Sequence, residues 1–204
     1  MAASKTATRN VIAILAMLLL SVAGGLLTER ALSSVRQAEY PRGYDEFIVP
    51  AAYENRIPEW AAFAAVKMRS DFEAAKRSPE GLVGLFQLSE EQYYILSDPS
   101  DALDPGLLYD PEVNIRLGCR WISSLYERYG SWEAVWAAMY AGDEAVDGWM
   151  VPSKDGSGKV LGQIPDEDTA KYTEKMIKIT EKYKKIYTES LSIPDDGTDA
   201  SVTE

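Results

Sequence analysis

The stretch AAVKMRSDFEAAKRSPEGLVGLFQL, residues 64–88, decides the fold of this chain. It opens inside a helix. Pro58 fits that helix's first turn, where a missing N–H costs nothing. Trp60, Phe63, Ala64 and Met68 then carry it to about Phe72. Arg69 lies near its end, and a guanidinium with a pKa above about 12 neither gives nor takes a proton at useful rates. Two carboxylates follow. Asp71 points to roughly the opposite side of a continuing helix. Glu73, four residues on, shares Arg69's face if the helix persists. Burying an unpaired guanidinium is costly, so the spacing predicts that a carboxylate holds Arg69, with Glu73 favoured over Asp71. The stretch closes on Gly81, Gly84 and Gln87, whose amide can both donate and accept hydrogen bonds.

The flanks continue in helices. Tyr44, Phe47, Ile48 and Ala52 have helical spacing, but Pro50 lies among them and is expected to kink or split that segment. Ser89 with Gln92 forms a capping box. Asp110-Pro111-Glu112 opens a helix whose apolar positions are Leu117, Trp121, Leu125 and Tyr129, and Gly130 ends it. Ser131 is expected to cap the next helix, which carries Trp132, Val135, Trp136 and Met139 on one face and stops at Gly142. Residues 152–164 read as a loop or small hairpin. Tyr172, Met176, Ile179, Tyr183 and Ile186 form the stripe of a last amphipathic helix. From Pro194 onward the chain is acidic and reads as disordered. No repeat and no series of alternating strands occurs, so the fold class is mainly α.

Composition removes several functions. The chain has 204 residues, a net charge of −11, no histidine and one cysteine. The acidic balance argues against nucleic acid. Without histidine there is no Ser–His or Cys–His pair and no histidine metal site, and neither a metal nor a cofactor is expected. Cys119 cannot form an internal disulfide and reads as a small buried hydrophobe. At the N-terminus, Lys5 and Arg9 precede VIAILAMLLLSVAGGLL, residues 11–27, an uncharged run about long enough to span a bilayer. The basic flank favours a cytoplasmic N-terminus and an exported remainder. Cleavage near Ser21-Val22-Ala23, as in a signal peptide, is the other reading of this run. Both place the domain outside the cytoplasm. The expected organisation is a cytoplasmic N-terminus and anchor over residues 1–28, a stalk over 29–39, a folded domain over 40–189 and an acidic tail over 190–204.

Four blocks carry a family resemblance. Residues 64–88 resemble AVIRxESGFxPxAxSxxGAxGLMQL of the soluble-lytic-transglycosylase (SLT) family. Residues 110–130, DPEVNIRLGCRWISSLYERYG, resemble DPxxNIxxGxxYLxxLxxxFG. Residues 136–150, WAAMYAGDEAVDGWM, resemble ALAAYNAGxxxVxxWL, and residues 164–176, IPDEDTAKYTEKM, resemble IPxxETxxYVxKV. The resemblance implies a lysozyme-like helical domain with a cleft for a peptidoglycan glycan strand. In that family one glutamic acid protonates the glycosidic oxygen between N-acetylmuramic acid and N-acetylglucosamine. As a carboxylate it then helps the muramic C6 hydroxyl attack, giving a 1,6-anhydro product.

Aligned on these blocks without a gap, the acid position is Arg69. In the third block, Met139 and Tyr140 replace the family's tyrosine and asparagine. No catalytic residue is therefore assigned, and Glu73 is the candidate substitute acid. Gln87, Phe86, Tyr140 and Arg69 are the expected glycan contacts, with Arg69 reaching a muramic or stem-peptide carboxylate. Three readings stand: a membrane-anchored pseudoenzyme that binds peptidoglycan or regulates another cell-wall enzyme, an active transglycosylase with a relocated acid, and a protein-interaction module on the same fold.

Overall fold

A computed structural model describes residues 17, 20–22, 24, 25, 28, 35, 38–98 and 104–191 of the chain. The chain divides into two compact units, Met1–Pro41 and Arg42–Glu204. Most of the apolar run 11–27 and of the stalk, and the tail from residue 192, lie outside the described residues. Among the described residues, no helix is long and apolar enough to cross a membrane.

The second unit is built from helices. They are α1 (Asp45–Glu54), α2 (Glu59–Arg69), α3 (Glu90–Leu96), α4 (Pro111–Tyr129), α5 (Trp132–Ala141), α6 (Asp143–Trp149) and α7 (Glu167–Leu191). A 3-10 turn over Pro105–Tyr109 precedes α4. Between α6 and α7 a small antiparallel hairpin pairs β1 (Met150–Pro152) with β2 (Lys159–Leu161), in the register Val151 opposite Val160.

The helix ends follow local chemistry. The Ser89 hydroxyl accepts from the Gln92 N–H at 3.1 Å while the Gln92 amide oxygen accepts from the Ser89 N–H at 3.0 Å, which starts α3. Asp110 accepts from the Val113 N–H and Pro111 takes the first turn of α4. Gly130 ends α4 at φ 61°, a backbone conformation that costs glycine little. Two expectations are corrected. Ser131 stands at the start of α5 but makes no side-chain cap. Pro50 leaves α1 in one piece. The hydrogen bond Pro50 cannot make would reach Glu46, in the exposed first turn, while Ile48, Ala51 and Ala52 keep the other face buried.

The core forms around α2, α4, α5 and α7. Ala61 to Val66 of α2 are all buried, as are Ala134, Ala137 and Ala138 of α5. Both helices pack against α7, where Met176, Ile179 and Tyr183 are buried. Small side chains on two helices let the third lie close. Tyr183 stacks on Phe63 at 5.8 Å between centroids. Ile115, Leu117, Ile122 and Leu125 of α4 complete the interior. Cys119 is fully buried there, and burial pushes its thiol pKa far up, so it is a packing residue.

Candidate functional site

The site forms where α2 ends. Its last helical residue is Arg69, not Phe72 as expected. Asp71 and Phe72 follow at φ 54° and 65°, a left-handed turn that stops the helix. The Lys76 ammonium donates to the Arg69 carbonyl at 2.7 Å and satisfies this helix end. The chain from Lys76 to Leu88 then folds on itself, with the Gly84 N–H bonded to the Lys76 carbonyl and isolated bridges joining Arg77 to Val83 and Val83 to Leu88.

This loop is keyed into α4. The Asn114 side chain is fully buried. Its oxygen accepts from the Phe86 N–H at 2.7 Å, and its amide donates to the carbonyls of Val83 at 3.0 Å and Leu108 at 2.9 Å. Gly84 sits at φ 80° with no room for a side chain, since a Cβ would lie 2.2 Å from the Asn114 amide nitrogen. Gly118 is as tight, because a Cβ there would lie 2.1 Å from the Phe86 ring. These packings turn the carbonyls of Phe86 and Gln87 toward Arg69.

Arg69 is half-buried and takes those carbonyls. Its Nε–H donates to the Phe86 carbonyl and one Nη2–H to the Gln87 carbonyl at 2.7 Å. Nη1 donates to the Met139 carbonyl at 3.0 Å. Met139 lies in the last turn of α5, where carbonyls lack a helical partner and a cation is favoured by the helix dipole. The guanidinium also lies 5.1 Å from the centre of the Trp121 ring. Arg69 thus joins α2, the 84–88 loop, α4 and α5.

The expected carboxylate partner is replaced by these carbonyls. Asp71 pairs with Lys67 at 2.5 Å on the surface. Glu73 is exposed, and among the described residues neither acid pairs with Arg69. The reason is geometric. The helix stops at Arg69, so the four-residue relation to Glu73 no longer exists.

The expected glycan contacts separate into two groups. Phe86 is fully buried against Gly118, and Gln87 is 3% exposed. The Gln87 amide nitrogen donates to the carbonyls of Lys76 at 3.0 Å and Gly84 at 2.7 Å. Both side chains therefore serve the loop, not an open surface, which corrects their expected role. Tyr140 is half exposed and lies over Tyr172 at 4.8 Å between ring centres. The buried Tyr172 hydroxyl has no hydrogen-bond partner of good geometry. Burial raises its pKa, and the nearby Arg69 charge opposes that rise. Met139 is buried, in keeping with the apolar face of its helix.

An open groove of about 240 Å³ runs beside this center, lined by Gln92, Ile95, Trp121, Ser124, Ala138 and Gly142. Ile95 is well exposed on it. The sequence reading treated Trp121 only as a core position of α4 and missed its place on the groove. The aromatic that stands at this point of the second motif was the available signal.

A long central helix, a loop locked onto it by Asn114 and an open groove beside Trp121 make this a mainly helical domain. The Transglycosylase SLT domain model matches residues 46–161, more than half of the chain. The soluble lytic murein transglycosylase of Escherichia coli strain K12 is 25% identical over 155 residues, covering 72% of this chain and 24% of that protein. Its counterpart from Salmonella typhimurium is 24% identical over the same length. Among solved structures, the 70 kDa soluble lytic transglycosylase of Escherichia coli superposes with a TM-score of 0.64 at 23% identity, over 74% of this chain and 26% of that one. A complex of the 70 kDa soluble lytic transglycosylase with bulgecin A gives 0.63 at 22% identity, over 78% and 26%. An inactive mutant of the Pseudomonas aeruginosa enzyme gives 0.62 at 23% identity, over 73% and 25%. This chain belongs to the SLT transglycosylase domain family, and it spans about a quarter of the length of these relatives.

Proposed function

We propose that this chain binds a peptidoglycan glycan strand in the groove beside Trp121 and does not cut it. Residues 11–27 anchor it in the cell membrane, with the domain on the extracytoplasmic side. The observation that carries the reading is the set of bonds that Arg69, which aligns with the family's acid position, donates to the carbonyls of Phe86, Gln87 and Met139. Cleavage needs a group that gives a proton to the leaving oxygen and then takes one, and a guanidinium does neither. Glu73 is exposed beyond a left-handed turn, away from Arg69.

Binding needs less. Trp121 and Tyr140 offer rings to a sugar face, and Gln92 and Ser124 offer polar groups. The half-buried Arg69 guanidinium, beside Trp121, supplies a positive charge for a muramic carboxylate. The groove beside the guanidinium is open, which favours glycan binding over a pure protein-interaction module.

The test is retention of the purified full-length chain on insoluble sacculi. We expect retention above an albumin control, reduced by Trp121→Ala and by Tyr140→Ala. No retention, or retention that ignores both substitutions, would favour the interaction module.

A further inference from the structure

A ladder of aromatic rings runs from the core of the second unit to its surface. Trp136 of α5 is fully buried. Trp132, one turn earlier, stacks on it at 5.4 Å between ring centres. Tyr126 of α4 stacks on Trp132 at 4.4 Å, and Trp60 of α2 meets Trp132 edge-on at 4.8 Å. Trp60 and Trp132 are partly exposed and Tyr126 is exposed. Among the described residues, neither the indole N–H groups of Trp60 and Trp132 nor the Tyr126 hydroxyl has a hydrogen-bond partner. The Lys184 ammonium lies over the Trp60 ring at 4.4 Å and pairs with Glu181 at 2.8 Å.

Rings with an apolar body and an unspent polar end suit the boundary between lipid headgroups and acyl chains. A lysine stem beside them keeps its ammonium among the headgroups. The course of the chain brings this face toward lipid. The second unit begins at Arg42, whose guanidinium bonds both Glu59 oxygens at 3.3 and 3.0 Å. The same guanidinium lies over the rings of Phe63 at 4.8 Å and Tyr187 at 5.1 Å. Glu59 immediately precedes Trp60, so the point where the chain enters the unit is fixed beside the aromatic face. Residues 28–41 separate that point from the apolar run and reach at most about 50 Å when fully extended. Charge does not drive the contact. The chain carries a net charge of −11, and exposed Glu127 and Glu133 adjoin Tyr126 and Trp132 in sequence, so the face suits a zwitterionic surface.

We infer that Trp60, Trp132 and Tyr126 form a face that seats the domain on the headgroup layer of a membrane. The inference rests on the anchor reading of residues 11–27 proposed above and is independent of the glycan reading. The rings are already packed on one another, so docking orders few further side chains. The seat also orients the groove. Trp121 and Tyr126 are five residues apart on α4. At 3.6 residues per turn that is about 140° around the helix. A domain resting on Tyr126 therefore turns Trp121 and its groove away from the lipid.

The full-length chain in phosphatidylcholine vesicles tests this, with and without lipid brominated in the upper acyl chain, which quenches tryptophan at short range. The five tryptophans all lie at or beyond residue 60, so the apolar run adds no signal. We expect brominated lipid to lower the tryptophan emission. Trp60→Phe combined with Trp132→Phe should abolish that loss, and Trp121→Phe should leave it in place. Trp60→Phe alone, which keeps a ring under Lys184, should remove part of it. Vesicle-bound chain with unquenched emission, or quenching carried by Trp121, would overturn the inference and leave the anchor standing, with a partner protein as the better occupant of the face. If alkaline carbonate strips the chain from the vesicles, the anchor reading falls, and quenching carried by Trp60 and Trp132 before extraction would uphold the face alone. A chain that never joins the vesicles sinks both.

Discussion

The loop from Val83 to Leu88 faces two ways, and its two faces are built on different principles. Inward, it meets α4 with no spare volume. Gly118 abuts the Phe86 ring, Gly84 abuts Asn114, and the Asn114 amide is fully used on backbone groups. Outward, the same loop presents bare carbonyls to Arg69, beside an open groove. The inward contacts are steric and admit few alternatives. The outward ones ask only for hydrogen-bond donors. The long, multi-donor side chain of Arg69 meets that need without entering the packing between the loop and α4.

The largest expected effects lie on the inward face. Gly118→Ala should destabilise the domain by about 3 kcal/mol or more, because a methyl group has no place beside Phe86. Urea unfolding would measure it, and a near-neutral result would break the steric half of the comparison. Asn114→Ala removes a buried amide and leaves the Phe86 N–H and the Val83 and Leu108 carbonyls without it. The expected loss is also about 3 kcal/mol.

The outward face should yield less. Arg69→Met keeps an apolar side chain near Trp121 but gives up the bonds to three carbonyls. In a half-exposed setting, where water can replace some of them, the expected cost is about 2 kcal/mol. Arg69→Glu should cost more, since a carboxylate would face those same carbonyl oxygens. If Arg69→Glu were as stable as the wild type, the tie described for Arg69 would be wrong. Ser89→Ala, which breaks the capping box of the groove-lining α3, should cost about 1 kcal/mol.

A pH effect sharpens the picture away from the site. Asp166 accepts from the Thr169 hydroxyl and N–H at the start of α7, and these bonds hold its pKa below the usual carboxylate value. Asp147 is held low first by its hydrogen bond to Arg128. A folded pKa below the unfolded one gives stability that is complete above about pH 4 and lost as pH falls through the lowered value. The unfolding midpoint should therefore drop between neutral and acid pH. Asp166→Asn should flatten part of that drop, and an unchanged profile would contradict its assigned role.

Much of the fold was legible in the sequence because helix ends carry local signals. Ser89 with Gln92, Asp110-Pro111 and Gly130 each act within one turn, and each performs in the structure as read. Pro50 misled because its missing bond falls on the solvent side of α1, where it costs little. The site was less legible. The partners of Arg69 are backbone carbonyls, and these have no residue signature. The helix end at Arg69 depends on the left-handed pair Asp71 and Phe72, two residue types that do not announce that conformation. The burial of Phe86 and Gln87 follows from Gly118 and from the loop's own carbonyls, contacts set by tertiary packing. Tyr140, read from the third motif as a glycan contact, is half exposed.

The central claim is that the acid position of this SLT domain no longer supplies an acid. Its most direct test is digestion of purified sacculi by the full-length chain, with Glu73→Gln in parallel and the soluble muropeptides analysed by mass. We expect no 1,6-anhydro products above an enzyme-free blank. Anhydro products that vanish in Glu73→Gln would contradict the claim and give the catalytic role to Glu73.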